Sequence, residues 1–279
     1  MKRKSLTVAK GGSMLCIPLT MITPTRRRFF EDSLMAAAAV ALPKTLLGAE
    51  TTAVSANEKL TAAIIGCGIR GKAHARELAR LPECDVAYVC DPDLDRADEV
   101  GALLVELKRP MPQKVQDLRK VLEDKAVDVV FIATPNHWHA LAAIWAMQAG
   151  KDVYVEKPVS QNVEEGRRIV QVARKLGRIA QTGTQNRSRG ALAEAVKFMR
   201  EGKLGEVKLA KSIIYSGRGS IGGPAECVMP PRCDYDLWAG PAPMTKLTRP
   251  KFHYDWHWFW DTGNGEIGNN NVHSLDICR

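Results

Sequence analysis

The sequence predicts an α/β fold: a doubly wound parallel sheet, followed by an incomplete α+β region of the open-sheet kind. Two observations carry the first part. From residue 58 to residue 184 short apolar runs alternate with longer amphipathic ones. That is the pattern of right-handed βαβ units, with helices covering both faces of a parallel sheet. The first apolar run, 62–65, ends in Gly66, Gly68 and Gly71, a G-x-G-x-x-G spacing that leads into a helix-compatible segment. A third observation sets the boundary. After Thr184 the alternation stops, and from 216 to 265 the chain is rich in Gly, Pro and Trp.

Taken in order, strands are expected at 62–65, 86–90, 127–132, 153–156 and 179–182, with a weaker one near 114–116. Helices are expected at 72–79, 94–107, 117–123, 138–149 and 163–176. Asn162, with Glu165 three residues later, is an N-terminal capping signal. Gly150 and Gly177 sit just past two helices, where a left-handed residue ends them. One more helix is expected at 191–201, stopped by Gly202, and then a long strand at 206–215. The expected division is a leader and linker at 1–56, a nucleotide-binding domain at 57–184 and a second domain at 185–279.

Each glycine of the loop has its own job. Gly66 permits a tight turn off the strand, Gly68 lets the main chain approach a pyrophosphate, and Gly71 lets helix and strand pack closely. The helix start, with Ile69 and Arg70 inside the loop, then offers free N–H groups and a positive dipole end to phosphates. The spacing alone is a weak signal, but the strand before it and the helix after it are the context it needs. Asp91 ends the next apolar run, 20 residues past Gly71. A carboxylate there can accept the ribose hydroxyls and would repel a 2′-phosphate, which favours NAD over NADP. The competing reading, a glycine turn with no ligand, loses ground once Asp91 is in place.

The chain has 279 residues, 45% hydrophobic and 25% charged, the profile of one or two globular domains. Its formal charge of +9 is a poor guide to partners. Residues 1–49 carry +6, from eight basic and two acidic residues, which leaves +3 for the rest. A solvated mixed surface accounts for that, and no nucleic-acid partner is expected. Seven cysteines show no C-x-x-C or C-x-x-H spacing, so no metal site is expected. Cys67 and Cys90 fall on strands and read as core. Cys227 and Cys233 share a loop, and either stay as thiols or pair in an oxidising compartment.

The stretch Thr25-Arg26-Arg27-Arg28-Phe29-Phe30 resembles the twin-arginine export motif. The apolar segment after it, 34–47, is interrupted by Pro43-Lys44 and is too short for a comfortable membrane span. Cleavage is expected after Ala49 or Ala56, with a retained membrane anchor as the alternative. A start at Met21 would leave a conventional basic leader. The resemblance implies the twin-arginine machinery as a partner and the periplasm as destination. That route carries folded proteins, which suits a chain that captures a dinucleotide first.

In an open parallel sheet, ligands bind beyond the carboxyl ends of the strands. Two such ends are loaded. Thr134-Pro135-Asn136-His137-Trp138-His139 follows strand 127–132, and Glu156-Lys157-Pro158 ends strand 153–156. The series G-C-G-I-R-G, T-P-N-H-W-H, E-K-P resembles the Gfo/Idh/MocA family, which includes glucose–fructose oxidoreductase and inositol dehydrogenase, over about residues 60–279. The resemblance implies a Rossmann domain for NAD, with Thr134, Pro135, Asn136 and Glu156 beside the glycine loop. His137 and Trp138 would line the nicotinamide side. Lys157 would reach both the nicotinamide ribose and the reacting hydroxyl. To act as a base it must lose its proton, and burial and the positive ring would both lower its pKa. A plain surface lysine at a strand end is the competing reading. His139 is either functional or satisfied by a carbonyl at the helix start, and His74 reads as structural.

The stretch from Gly263 to Asp276, G-N-G-E-I-G-N-N-N-V-H-S-L-D, resembles the family's glycine-rich turn and the helix carrying D-x-G-x-H. His273 matches the histidine, a candidate acid/base for the substrate hydroxyl, or else a buried helix residue. Asn269 stands at the Asp position, on the same helical face, and Asn271 at the Gly position. An amide cannot take a proton, but it can orient the ring or a substrate hydroxyl. Gln185-Asn186-Arg187 either holds substrate hydroxyls or is a linker. Trp256, Trp258 and Trp260, interleaved with His257, suit a sugar face or a hydrophobic seal. Residues 234–238 with Gly240-Pro241 read as packing.

The resulting expectation is an exported NAD-dependent oxidoreductase acting on a sugar, polyol or related carbohydrate, with Lys157 and His273 managing the hydroxyl proton. The resemblance also reaches NAD-dependent N-acetylgalactosaminidases, which cleave a glycosidic bond through transient oxidation. A dinucleotide-holding protein without turnover is a third reading. About 95 residues follow Thr184, short for the family's open sheet, so a truncated reading frame is expected; a complete domain would form a homo-oligomer.

Overall fold

Six short strands build one sheet: β1 (Leu60–Ile65), β2 (Cys84–Cys90), β3 (Gln113–Val115), β4 (Val129–Ile132), β5 (Asp152–Glu156) and β6 (Ala180–Gly183). They lie in the order β3-β2-β1-β4-β5-β6, and every neighbouring pair is parallel. The computed structural model describes residues 59–279 apart from Ser216 and Pro250. The expected export motif, its cleavage points and the alternative start lie outside the described residues. Strand order reverses between β1 and β4. The loops leaving those two strands part in opposite directions, which opens a crevice at the carboxyl ends.

Five helices follow the first five strands: α1 (Ile69–Leu78), α2 (Leu94–Glu106), α3 (Leu118–Glu123), α4 (Asn136–Gln148) and α5 (Val163–Leu176). They cover both sheet faces, as a parallel sheet requires. Ala62 and Ile64 of β1 point one way, onto Ala75 and Leu78 of α1 and Val100 and Leu104 of α2. Ala63 and Ile65 point the other way, with Val130, Ile132, Val153 and Val155, onto Ala143, Ala146 and Met147 of α4 and Ile169 of α5. Each fully buried Ile or Leu contributes about 1.5–3 kcal/mol.

Side chains start most of these helices. Asp93, Asp117 and Asn162 accept from the N–H groups of Asp95, Arg119 and Glu165. Glu165 returns a bond to the Gln161 amide, at 2.9 Å, so the expected capping box closes one residue before the cap. Gly150 and Gly177 have φ of +81° and +62°, the left-handed ends expected. α1 differs. Its cap, Gly68, has no side chain to offer, and the first-turn amides remain unspent.

Asp91 braces the loop from which α1 starts. Its Oδ2 accepts from the Cys67 amide at 2.7 Å and its Oδ1 from the Asp93 amide at 3.0 Å. One carboxylate thus ties the glycine loop to the β2–α2 turn. Burial pushes its pKa up from 3.8 to about 6, against these two hydrogen bonds and the nearby Arg96.

After β6 come a 3₁₀ turn (Gln185–Ser188), α6 (Gly190–Arg200), α7 (Tyr235–Ala239) and α8 (Phe252–Asp255). A second 3₁₀ turn (Trp256–Trp258) and a π-helical turn (Ile267–Asn271) lead into α9 (Val272–Cys278). The strand expected at 206–215 is not formed. A strand exists through its ladder partners, and among the described residues none runs beside it. Val207, Leu209, Ile213 and Tyr215 are left exposed. Cys227 and Cys233 are both free thiols, so the pairing held open above is not made.

The second region fastens onto the β2–α2 turn. Asp234 N donates to Pro92 O at 2.9 Å and Leu94 N to Arg232 O at 3.2 Å. Arg232 Nη1 reaches Asp95 and Asp98, each at 2.7 Å. A small core of Trp238, Ala239 and Phe252 sits behind these contacts.

Two outcomes follow. A Cβ on Gly71 would lie 2.0 Å from the Gly66 carbonyl oxygen, so Gly71→Ala should cost about 3 kcal/mol in urea unfolding; an unchanged midpoint would show that helix and strand are not packed this closely. For Asp91 the folded pKa is raised, so its proton favours the folded state below pH 4, and this support is lost as pH rises through about 6. Asp91→Asn should therefore gain about 3 kcal/mol on the wild type between pH 3.5 and pH 7. Parallel stability curves for the two proteins would contradict it.

Candidate active site

A cleft of about 800 Å³ opens over the carboxyl ends of β1 and β4. Gly66, Gly68, Ile69 and Arg70 form one wall, and Thr134, Pro135, Asn136 and Trp138 the facing one. Asp91 lies at one side, and Glu156 and Lys157 at another. A Cβ on Gly68 would meet only Arg96 Nη1, at 3.5 Å. The open main chain and the unspent amides at the start of α1 make a cradle for a diphosphate. Both Asp91 oxygens already hold amides, so a ribose would share their remaining lone pairs. Arg96, five residues on, also lines the cleft. The sequence reading missed it, although a cation one helical turn into α2 is visible there.

Glu156 and Lys157 are consecutive, and they take different surroundings. Glu156 Oε1 accepts from Arg70 Nε at 2.9 Å and Nη2 at 2.7 Å, and His74 Nε2 lies 3.0 Å from the same oxygen. Burial alone would raise the carboxyl, but His74 and Arg70 outweigh it and hold the pKa at about 2. Oε2 is buried without a partner. His74, expected to be structural, therefore packs against the E-K-P element as well as edge-on to Tyr154. Lys157 Nζ donates to Asn269 O at 2.5 Å. Burial lowers its pKa and Arg70 lowers it further, against Glu156 and Glu266.

Asn269 lines the cleft; His273, one turn later, does not. His273 Nδ1 is buried and has no partner among the described residues. Its pKa is lowered by burial first and then by the charge of Lys157, so the two expected catalytic groups feel each other. Gln185 and Arg187 lie elsewhere. Gln185 Oε1 is buried and unpaired, and Arg187 forks onto Asp276 of α9 at 2.7 and 2.5 Å.

His137 sits behind the cleft wall. It is buried and does not line the cleft. Its Nε2 is 3.0 Å from Trp238 O and its Nδ1 3.3 Å from Thr262 O, because the incoming second region needs partners for those carbonyls. Trp138 does line the cleft, with its Nε1 donating to the same Trp238 O at 3.0 Å. Asn136 Nδ2 donates to Asn264 Oδ1 at 2.8 Å. His139 lies between Pro158 O (2.6 Å) and Thr134 O (2.9 Å), the carbonyl-satisfied alternative. Residues 234–241, read as packing, supply cleft wall through Asp236, Leu237 and Trp238. Trp256 and His257 also line it, whereas Trp260 is 95% exposed.

Comparison with known proteins follows the same division. A family profile described as "Oxidoreductase family, NAD-binding Rossmann fold" matches residues 60–184, and its companion, "Oxidoreductase family, C-terminal alpha/beta domain", matches 212–279. The chain is 32% identical over 169 residues to scyllo-inositol 2-dehydrogenase (NAD(+)) of Bacillus subtilis, covering 60% of this chain and 46% of that protein. It is 30% identical over 156 residues to levoglucosan dehydrogenase of Pseudarthrobacter phenanthrenivorans, with 54% and 39% covered. It is 34% identical over 120 residues to alpha-N-acetylgalactosaminidase of Shewanella oneidensis, with 42% and 26% covered. These matches span less than half the length of each relative. The solved structure of GenD2 from gentamicin A biosynthesis, in complex with NAD, shares the fold with a TM-score of 0.58 at 20% identity, covering 80% of this chain and 53% of GenD2. The sheet order, the glycine cradle beside Lys157 and the two domain matches agree, and the chain belongs to the Gfo/Idh/MocA oxidoreductase family.

Proposed function

We propose that this protein is an NAD-dependent oxidoreductase that moves a hydride between the nicotinamide and a CH–OH carbon of a sugar, polyol or related carbohydrate, with NADP as the alternative cofactor. One observation carries the reading: the Lys157 amine and the Gly68 cradle line the same cleft. The residues fit a dinucleotide. Gly68 leaves the approach open, and two buried polar atoms on cleft-lining residues, Thr134 Oγ1 and Glu156 Oε2, lack partners among the described residues. When bound, the nicotinamide supplies the hydride chemistry.

The chain's own groups do the rest. The first-turn amides of α1 would hold the diphosphate, and Asp91 and Arg96 would stand by the ribose. Asn269 O takes one N–H of Lys157 and fixes the direction of the amine. Lys157 accepts the hydroxyl proton in its neutral form, which burial makes more available. His273, whose pKa the charge of Lys157 helps to lower, is the second group offered for that proton. The charge of a family Asp is missing at Asn269, whose main-chain oxygen instead holds Lys157.

Net hydrolysis of a glycoside by transient oxidation is the second reading. Asn269 and the export motif are compatible with it without requiring it, and the likeness to the Shewanella alpha-N-acetylgalactosaminidase supports it. Export to the periplasm, cleaved or anchored, rests on the motif at 25–30, and homo-oligomer formation on the family resemblance.

Mass spectrometry of cofactor released from the purified protein, followed by a sugar and polyol panel at the reduced-nicotinamide absorbance, tests the leading reading. NADH formation with one of them is expected. Aglycone release from aryl glycosides without net NADH would instead select hydrolysis. Lys157→Met should lower kcat by about 10²–10⁴-fold, with a smaller loss of NAD affinity; retained turnover would remove Lys157 from the chemistry. Oxidation by the wild type should rise with pH to an apparent pKa below 10.5, because burial lowers that of Lys157. A rate independent of pH up to that point would contradict the assignment.

A further inference from the structure

We propose that a second cleft, next to the Lys157 end of the first, receives the anionic group of an acidic carbohydrate, a carboxylate or a sulfate ester. The proposal rests on the carbohydrate reading above and narrows it. The cleft lies between the glycine-rich loop 217–223 and the segment 249–258, with Glu266 in its wall. Lys251 and Tyr254 line both clefts, and the charge of Glu266 reaches Lys157. A sugar held in the first cleft can therefore extend past Lys251 and Tyr254 into this second space.

Cations dominate the lining. Arg218, Arg249 and Lys251 face Asp255 and Glu266, a surplus of one positive charge. Glu266 is already matched: Arg218 Nε donates to one of its oxygens and Asn270 Nδ2 to the other. Arg249 and Lys251 have no carboxylate partner among the described residues. Arg249 Nη1 donates to Gly222 O at 2.8 Å and also to Gly223 O, which fixes the guanidinium. Its Nε is buried with no acceptor among the described residues. A buried donor left unpaired is costly, and an oxyanion that offers two oxygens, a carboxylate or a sulfate, matches a guanidinium edge.

The rest of the cleft suits a pyranose. The Arg218 guanidinium stacks on Trp258 at 4.6 Å, and Tyr254 is half exposed beside it. Aromatic rings so placed pack against the C–H face of a sugar. Gly217, Gly219 and Gly223 have nothing within 4 Å of a would-be side chain, so the loop leaves room for a ring. The diphosphate of a dinucleotide has its own cradle at α1, so this second anion-binding surface serves another molecule.

The test is calorimetric titration of the full chain, with and without NAD, using D-glucuronate, glucose 6-sulfate, D-glucose and inorganic sulfate. The two acidic sugars should bind at least tenfold more tightly than glucose, and inorganic sulfate more weakly than either. Arg249→Gln should remove most of that advantage while NAD affinity is unchanged. Lys251→Gln, at an exposed position, should reduce the advantage in the same direction and does not depend on whether the Arg249 variant folds. Glucose binding as tightly as glucuronate, or an advantage intact in both variants, would overturn the proposal. Inorganic sulfate binding as tightly as the acidic sugars would overturn its carbohydrate part. Acidic-sugar preference in a protein that fails to bind NAD would instead sink the oxidoreductase reading and leave this site standing.

Discussion

The contact that the site depends on is the one between Arg70 and Glu156. It joins the first turn of α1 to the end of β5, across the intervening β4. Two N–H groups on one carboxylate oxygen fix both direction and distance. A buried carboxylate is tolerable only when paired, so Glu156 cannot drift from Arg70 without a large cost. Its chain neighbour Lys157 is carried along. The separation between the glycine cradle and the amine is thus set by an ion pair inside the protein, before any ligand arrives.

His139 is a second clamp on the same element. Its ring spans the carbonyls of Thr134 and Pro158. Burial pushes its pKa down, against the two carbonyl hydrogen bonds that push it up. The ring joins the two loops that leave β4 and β5, both of which line the cleft. His74, on the far side of Glu156, packs on Tyr154 and Phe131. Lys157 is therefore flanked by rigid groups on both sides, while its own tip donates to the Asn269 carbonyl at the edge of the cleft.

The second region closes the cleft by borrowing donors from the first. A single carbonyl, that of Trp238, faces both His137 Nε2 and Trp138 Nε1. Thr262 O, Asn264 and Asp93 take further bonds from residues across the same seam. These polar contacts sit at the rim of a small aromatic core of Trp238, Phe252 and their neighbours. Buried carbonyls in a loop-rich segment need partners, and the T-P-N-H-W-H turn is the nearest source. The structure thus spends part of a motif expected to meet the cofactor on holding the cleft wall.

Local chemistry was enough to determine the parallel sheet, its helices and the glycine cradle. Strand and helix periods, Asn162, Gly150, Gly177 and the G-x-G-x-x-G turn act over a few residues, and each is visible in the order of amino acids. Asp91, Glu156 and Lys157 were legible because strand ends in such a sheet all point to one crevice. Only the tertiary structure decided the direction of His137, the pairing of Arg187 with Asp276 and the use of residues 234–241 as cleft wall. The same holds for the missing strand at 206–215. Those outcomes depend on what lies opposite each group in space, and a strand or a buried imidazole is defined by a partner that its own neighbours in the chain do not specify.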